Sequence, residues 1–184
     1  YGRDHWWYRG ALNWNGVCNG AIGLAFLRLE DDLQTRAEAL AMVLEGFEAY
    51  IATGFEADGG SIEGVGYWNY GLMYYTIVAE LLREMSGGAL NLLATERMKD
   101  IAYYPVGMAL QPPMYLNFGD APATVNIAPG IVQRIAERTG VSDLRALVSS
   151  TTRPDAERSA SLSKLAVIMR QIVWWDGKDY PLPP

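Results

Sequence analysis

The run of residues 67–85 constrains this chain more than any other stretch, because it is apolar on two faces at once. At helical period, Trp68, Leu72, Tyr75, Leu82 and Met85 share one face, and Tyr67, Tyr70, Tyr74, Ile77 and Leu81 share another. A helix with no wet side belongs inside a fold, so other helices must cover it. Residues 58–66, just before it, combine Gly59, Gly60, Gly64 and Gly66 with Asp58 and Glu63. Glycines at that density predict a tight loop whose backbone comes close to a neighbour. The first helical turn then presents Tyr67, Asn69 and Tyr70 directly after an acidic loop. That combination places a candidate site on a rigid support.

The rest of the chain alternates with this helix. Residues 13–19 predict a polar loop, and residues 21–29, free of charge until Arg28, predict a second buried helix. Residues 33–51 predict an amphipathic helix with Leu33, Ala37, Leu40, Leu44, Phe47 and Ile51 inward. Gln34, Arg36, Glu38, Glu45 and Glu48 cover its other side, Asp32 caps its start and Gly54 ends it. Residues 21–29 and 67–85 should therefore be more buried than 33–51. Gly87 and Gly88 make a turn before an amphipathic helix over 89–103. Pro105, Pro112 and Pro113 punctuate a loop that ends in Asn117-Phe118-Gly119-Asp120. Helix resumes near Ala123, with Pro129-Gly130 as a break point, and runs to Arg138. Ser142 caps a short helix to Val148, and residues 159–173 give one more. No segment alternates as a strand does.

Buried, wet, buried, wet is the order expected of helical hairpins arranged in two concentric layers. The expected fold is all-α, an incomplete α/α toroid over residues 1–176, with 177–184 a proline-rich chain end or linker to a further domain. Inner helices of a toroid run the same way, so the loops 13–19, 58–66 and 117–120 should line one mouth.

Composition narrows the chemistry. A chain of 184 residues, 50% hydrophobic, can bury a core and suits one domain. A net charge of −6 argues against nonspecific nucleic-acid binding. No apolar run reaches membrane-spanning length. Cys18 and His5 are the single cysteine and histidine, so an internal disulfide, a zinc cluster and a site of several histidines are excluded. No metal or cofactor is expected. The chain opens on Tyr1 without a methionine or signal peptide, which suggests a piece of a longer protein.

Helix N-termini carry partial positive charge and unpaired N–H groups, so a ring of them favours an anion. The side chains on offer are amides and phenols: Asn13, Asn15, Asn19, Asn69, Tyr67 and Tyr70. Amides can hydrogen-bond a carboxylate, and a phenol can move a proton to or from carbon. The same residues also read as helix caps and satisfied core tyrosines. Asp58 and Glu63 read either as paired carboxylates of a glycosidase or as an Asx turn and a loop brace. His5 beside Trp6 and Trp7 can face a sugar or simply lie on the surface. Cys18 has no nearby base and reads as core. Trp174 and Trp175 read as an anchor for the chain end.

Two spaced motifs carry a family resemblance. Asn13-Trp14-Asn15-x-Val17-Cys18-Asn19-Gly20 is followed by Asp58-Gly59-Gly60 and by Glu63-Gly64-x-Gly66-Tyr67-Trp68-x-Tyr70-Gly71. Together with Asn117-Phe118-Gly119-Asp120, these resemble the heparinase II/III-like polysaccharide lyases over roughly residues 1–130. The resemblance implies an incomplete α/α toroid followed by a C-terminal β-sandwich domain, and a periplasmic or secreted protein. It implies β-elimination on uronic-acid-containing glycans, with an acidic polysaccharide or oligosaccharide as partner and neither nucleic acid nor membrane. Tyr67 matches the tyrosine that moves the proton, and Asn13 or Asn15 matches the residue that binds the uronate carboxylate. Substrate contacts are expected from His5, Trp14, Asn19, Glu63, Trp68, Tyr70 and Asp120. The histidines that many members use are absent: Trp14, Gly16 and Asn19 stand at the candidate positions near the asparagines, which leaves the general base unassigned. A glycoside hydrolase using Glu63 and Asp58 is the enzymatic alternative. A glycan-binding domain with Trp6, Trp7, Trp14 and Trp68 as platforms is the non-catalytic one.

Overall fold

A computed structural model describes residues 2–118, 120–148, 169 and 173–181. Helix accounts for 59% of these residues and strand for 5%, so the protein is mostly helical, as an all-α reading requires. The helices are α1 (Asn13–Leu29), α2 (Leu33–Thr53), α3 (Val65–Met85), α4 (Glu96–Met108) and α5 (Pro129–Thr139). A short 3-10 helix follows at Ser142–Leu147. A hairpin of β1 (Ala109–Gln111) and β2 (Met114–Tyr115), turning at a cis Pro112–Pro113 bond, is a feature that the sequence did not announce.

The directions of the helices follow from their contacts. A Cβ at Gly16 would lie 2.7 Å from the Gly71 carbonyl oxygen, at Gly20 2.7 Å from Tyr74, and at Gly23 3.4 Å from Val78. Both series ascend, so α1 and α3 run parallel, and small residues bring their backbones together. Asn69 Oδ1 accepts the Ala128 N–H at the start of α5, while Arg138 near its end donates to Glu80. Thus α5 runs the same way. On α2, Gly46 meets Asn19 and Val43 meets Gly23, so α2 returns antiparallel. On α4, Ile101 meets Trp68, whereas Leu92, before the helix, accepts from Tyr75, so α4 returns as well.

The two returning helices lie on one side of α3. Phe47 of α2 packs on Tyr75, with ring centroids 4.7 Å apart. Arg97 of α4 donates to the Ile51, Phe55 and Ala57 carbonyls at the end of α2. Trp68, Leu72 and Tyr75 are buried between the layers, whereas Tyr70 remains 44% exposed on the other face.

Several local expectations change. The first helix begins at Asn13, so residues 13–19 are its opening turns and not a loop. Residues 67–85 are well buried, but 21–29 are no more buried than 33–51: Gly23 and Leu27 are buried, and Ala21, Ala25 and Leu29 are exposed. The apolar residues of α1 surround it, yet neighbours cover one side only. In α2 the buried line is Ala39, Val43, Gly46, Phe47 and Tyr50, while Leu33 is exposed and Leu40, Leu44 and Ile51 are half-buried. Glycine lets α1 approach at Gly46, which outweighs the simple apolar count. Asp32 does cap α2, accepting the Thr35 N–H at 2.8 Å.

Residues 89–95 form turns, and Thr95 caps α4 through the Met98 N–H. Pro105 lies inside α4 and cannot donate to the Ile101 carbonyl one turn back. The indole N–H of fully buried Trp68 fills that place, at 2.8 Å from the Ile101 oxygen. Helix resumes only at Pro129, which occupies a first-turn position of α5. The helix expected over 159–173 lies outside the described residues except for Met169 and Val173, as do the last three positions of the 177–184 segment.

Candidate functional site at the helix N-termini

The starts of α1, α3 and α5 meet at one end of the row, and the expected site residues divide there into exposed and consumed groups. The capping position of α1 is Leu12, which has no side-chain acceptor. Glu63 supplies it from the loop before α3. Its carboxylate accepts the Asn13 backbone N–H at 2.5 Å and the Asn13 amide at 2.8 Å. An anion therefore already sits at this N-terminus, where the helix dipole favours it. Asn13 is only 4% exposed.

Asn15 and Asn19 are fully buried. Asn15 donates its amide to the Gly10 carbonyl at 3.0 Å, and Asn19 donates to the Tyr8 carbonyl and to Asn15 Oδ1. These bonds fasten residues 8–10 along α1. Neither amide faces a space that a substrate could enter, which corrects the expectation that Asn15 or Asn19 meets ligand directly. Trp68, expected as a substrate contact, is likewise buried between α3 and α4 and holds the Ile101 carbonyl.

The exposed groups are aromatic. Tyr67 is half-buried in the first turn of α3, and Tyr70 meets Tyr74 edge-on at 5.8 Å. Burial first, and then Tyr74, push the Tyr70 phenol above its ordinary value, so it stays protonated and can donate. Cys18 lies near Tyr70, and burial pushes its thiol up, away from nucleophilic chemistry. Trp14 is 50% exposed and packs edge-on against exposed Trp6 at 6.2 Å. His5 is exposed and stacks on Trp7 at 5.0 Å. Tyr74 was not singled out as a contact, although its position four residues after Tyr70 on one helical face would have indicated it.

Asp120 is exposed beside Ala121, and Ala121 packs on Gly64, where a Cβ would come within 2.4 Å of it. Gly64 takes φ 89°, a left-handed conformation that suits glycine. The 117–125 loop is thereby held against the start of α3, at the same end as Asn13 and Tyr67; Gly119 lies outside the described residues.

The acids do not pair. Asp58 accepts the Gly60 N–H in an Asx turn, and its neighbour Gly59 packs against Asp100 of α4. Asp58 also helps burial raise the Tyr104 phenol of α4 to about 12. Glu63 faces α1 instead. Arg3 and Arg9 both bind Glu45 on α2, so they do not offset the acids of the rim. Among the described residues no cluster of His, Cys, Asp and Glu is arranged to hold a metal, and no helix is long and apolar enough to cross a membrane. No family model matches the chain, and no curated protein matches it.

Proposed function

We propose that this protein is the helical part of a polysaccharide lyase that cleaves uronic-acid-containing glycans by β-elimination. The observation that carries the reading is the convergence of three parallel helix starts on one rim that bears half-open Tyr67. The parallel row α1, α3 and α5, with α2 and α4 returning on one side, is the arrangement from which an α/α toroid is built. The open face of the row, with Trp14, Tyr70 and Tyr74, would line its interior.

In the reaction a base removes the proton α to the uronate carboxylate, a carbon–carbon double bond forms, and the bond to the leaving oxygen breaks. Tyr67 takes that proton, returns one to the leaving oxygen, or does both. The negative charge that develops on the carboxylate needs preorganised donors. Asn13 has two, its backbone N–H and its amide, and both hold the Glu63 carboxylate in the unliganded protein. The substrate carboxylate takes the place of Glu63 there, one carboxylate exchanged for another. Asn15 acts indirectly, by fixing the segment that carries the start of α1. A hydrolase using Asp58 and Glu63 is less well supported, because one acid faces α4 and the other α1.

The test is ultraviolet detection of unsaturated uronate on incubation with acidic glycans, comparing wild type with two variants. Tyr67→Phe keeps the ring and removes the hydroxyl, and should lower turnover by about 100- to 10,000-fold. Glu63→Gln should retain turnover, since it only weakens the internal competitor. New reducing ends released without unsaturated uronate, and lost in Glu63→Gln but kept in Tyr67→Phe, would move the reading to a hydrolase.

A further inference from the structure

The opposite end of the helix row holds a second polar constellation, which the rim chemistry does not use. Arg28, Arg83 and Arg138 stand in the last turns of α1, α3 and α5 respectively. With Arg134, Glu80 and Glu84 they line a cavity of about 440 Å³. That volume is within the range of small-molecule sites, roughly 300–1,000 Å³. Helix dipoles explain why arginines favour these last turns. They do not explain the cavity between them or the charge left over in it.

The ion pairs show where the excess lies. Arg138 grips Glu80 through Nε and Nη2, at 2.7 and 2.8 Å. Arg134 pairs with Glu80 at 3.3 Å and with Glu137 at 2.8 Å. Two arginines are thus matched by two glutamates. Arg28 and Arg83 form no ion pair among the described residues, although Glu80 and Glu84 line the same cavity. The Arg83 Nε is shielded from solvent without a hydrogen-bond partner. A buried donor in that state costs free energy unless a ligand satisfies it.

The remaining wall is apolar. Leu24, Ile77 and Leu81 form part of it, and Trp174 closes it with Arg134 lying 5.3 Å from its ring centroid. Guanidinium groups recognise carboxylate and sulfate oxygens in pairs, and an aromatic ring presents a flat face to a pyranose. We infer that this cavity binds an anionic sugar unit, its carboxylate or sulfate held by Arg28 and Arg83 and its ring against Trp174. The site is independent of the proposed reaction at the rim and stands or falls without it.

Isothermal titration calorimetry of the intact chain tests it with glucuronate and glucose 6-sulfate, against glucose and inorganic sulfate at matched ionic strength. At least one anionic sugar should bind, and the preference between the two identifies carboxylate or sulfate as the recognised group. Arg83→Gln and Arg28→Gln leave the Glu80 pairs intact, so the fold should persist, and each should weaken binding about 10-fold or more. Trp174→Leu should weaken sugar binding and leave inorganic sulfate unaffected. No binding by either anionic sugar overturns the inference, as does binding unchanged by both arginine variants. Inorganic sulfate binding as tightly as the sugars would remove the sugar from it.

Discussion

The two ends of the helix row solve opposite electrostatic problems with opposite means. At the N-terminal end the helix starts attract an anion, and the chain supplies its own: Glu63 caps α1, and the amides of Asn15 and Asn19 are spent on the carbonyls of Gly10 and Tyr8. At the C-terminal end cations are wanted, and among the described residues Arg28 and Arg83 form no ion pair. The contrast teaches that residue type alone does not locate a free binding group. The polar amides that look most available in sequence are the most occupied in the structure. The arginines, which look like ordinary helix endings, retain unused donors.

Both ends depend on how closely α1 and α3 approach, so the largest effect should come from their contact. A Cβ at Gly16 would stand 2.7 Å from the Gly71 carbonyl oxygen and 2.9 Å from the Tyr50 ring. Backbone is on one side and a buried ring on the other, so neither can yield cheaply. Gly16→Ala should cost about 3 kcal/mol in urea unfolding. A cost below about 1 kcal/mol would show that the helices can part without loss, and would remove the rigid support from both ends.

At the C-terminal end, Arg138→Ala leaves Glu80 with only the longer pair to Arg134. The side chains of Arg138 and Glu80 are 21% and 12% exposed, between the surface and buried limits for ion pairs. The expected loss is about 2 kcal/mol by chemical denaturation, between less than about 1 for exposed pairs and about 3–5 for buried ones. In the contrasting variant Arg83→Gln, stability should move by less than about 0.5 kcal/mol, since no ion pair among the described residues is broken. Equal losses in the two would mean that Arg83 is structural, and the asymmetry between the ends would shrink.

Much of the architecture was legible because it rests on long periodic signals. The two-faced helix over 67–85, the Asp32 cap and the mostly helical character of the chain all have local causes in the sequence. What was not legible depends on partners far along the chain. No local pattern says that Glu63 will cap a helix fifty positions earlier, so Asn13 read as free. Nor does it say that Pro105 can sit inside a helix, because the compensating donor, Trp68, lies on another one. The start of α1 was misplaced for the same reason: asparagines near a helix start are normally caps, and here they are interior residues tied to the preceding segment. The open face of α1 was hidden by its own composition, since an apolar residue looks the same in sequence whether or not a neighbour covers it.

A smaller effect than the loss of Arg138 should come from the rim, and it sharpens the comparison most. Glu63→Gln replaces one acceptor oxygen by a donor of nearly equal size, beside the two donors of Asn13. One hydrogen bond survives, and the other becomes a donor facing a donor unless the amide turns away. The negative charge that complements the start of α1 is lost as well. A charge-assisted hydrogen bond is worth about 1.5–3 kcal/mol, and a charge at a helix terminus about 0.3–1. Glu63 is only half-buried, so water can take up part of the loss. The net cost should be about 1 kcal/mol in chemical denaturation. Part of it should disappear as salt is raised, because the dipole contribution is screened. Arg83→Gln, which breaks no ion pair among the described residues, should show no such salt-sensitive loss. If Glu63→Gln proves neutral at every salt concentration, the start of α1 does not need this anion. The exchange of Glu63 for a substrate carboxylate would then lose its physical basis.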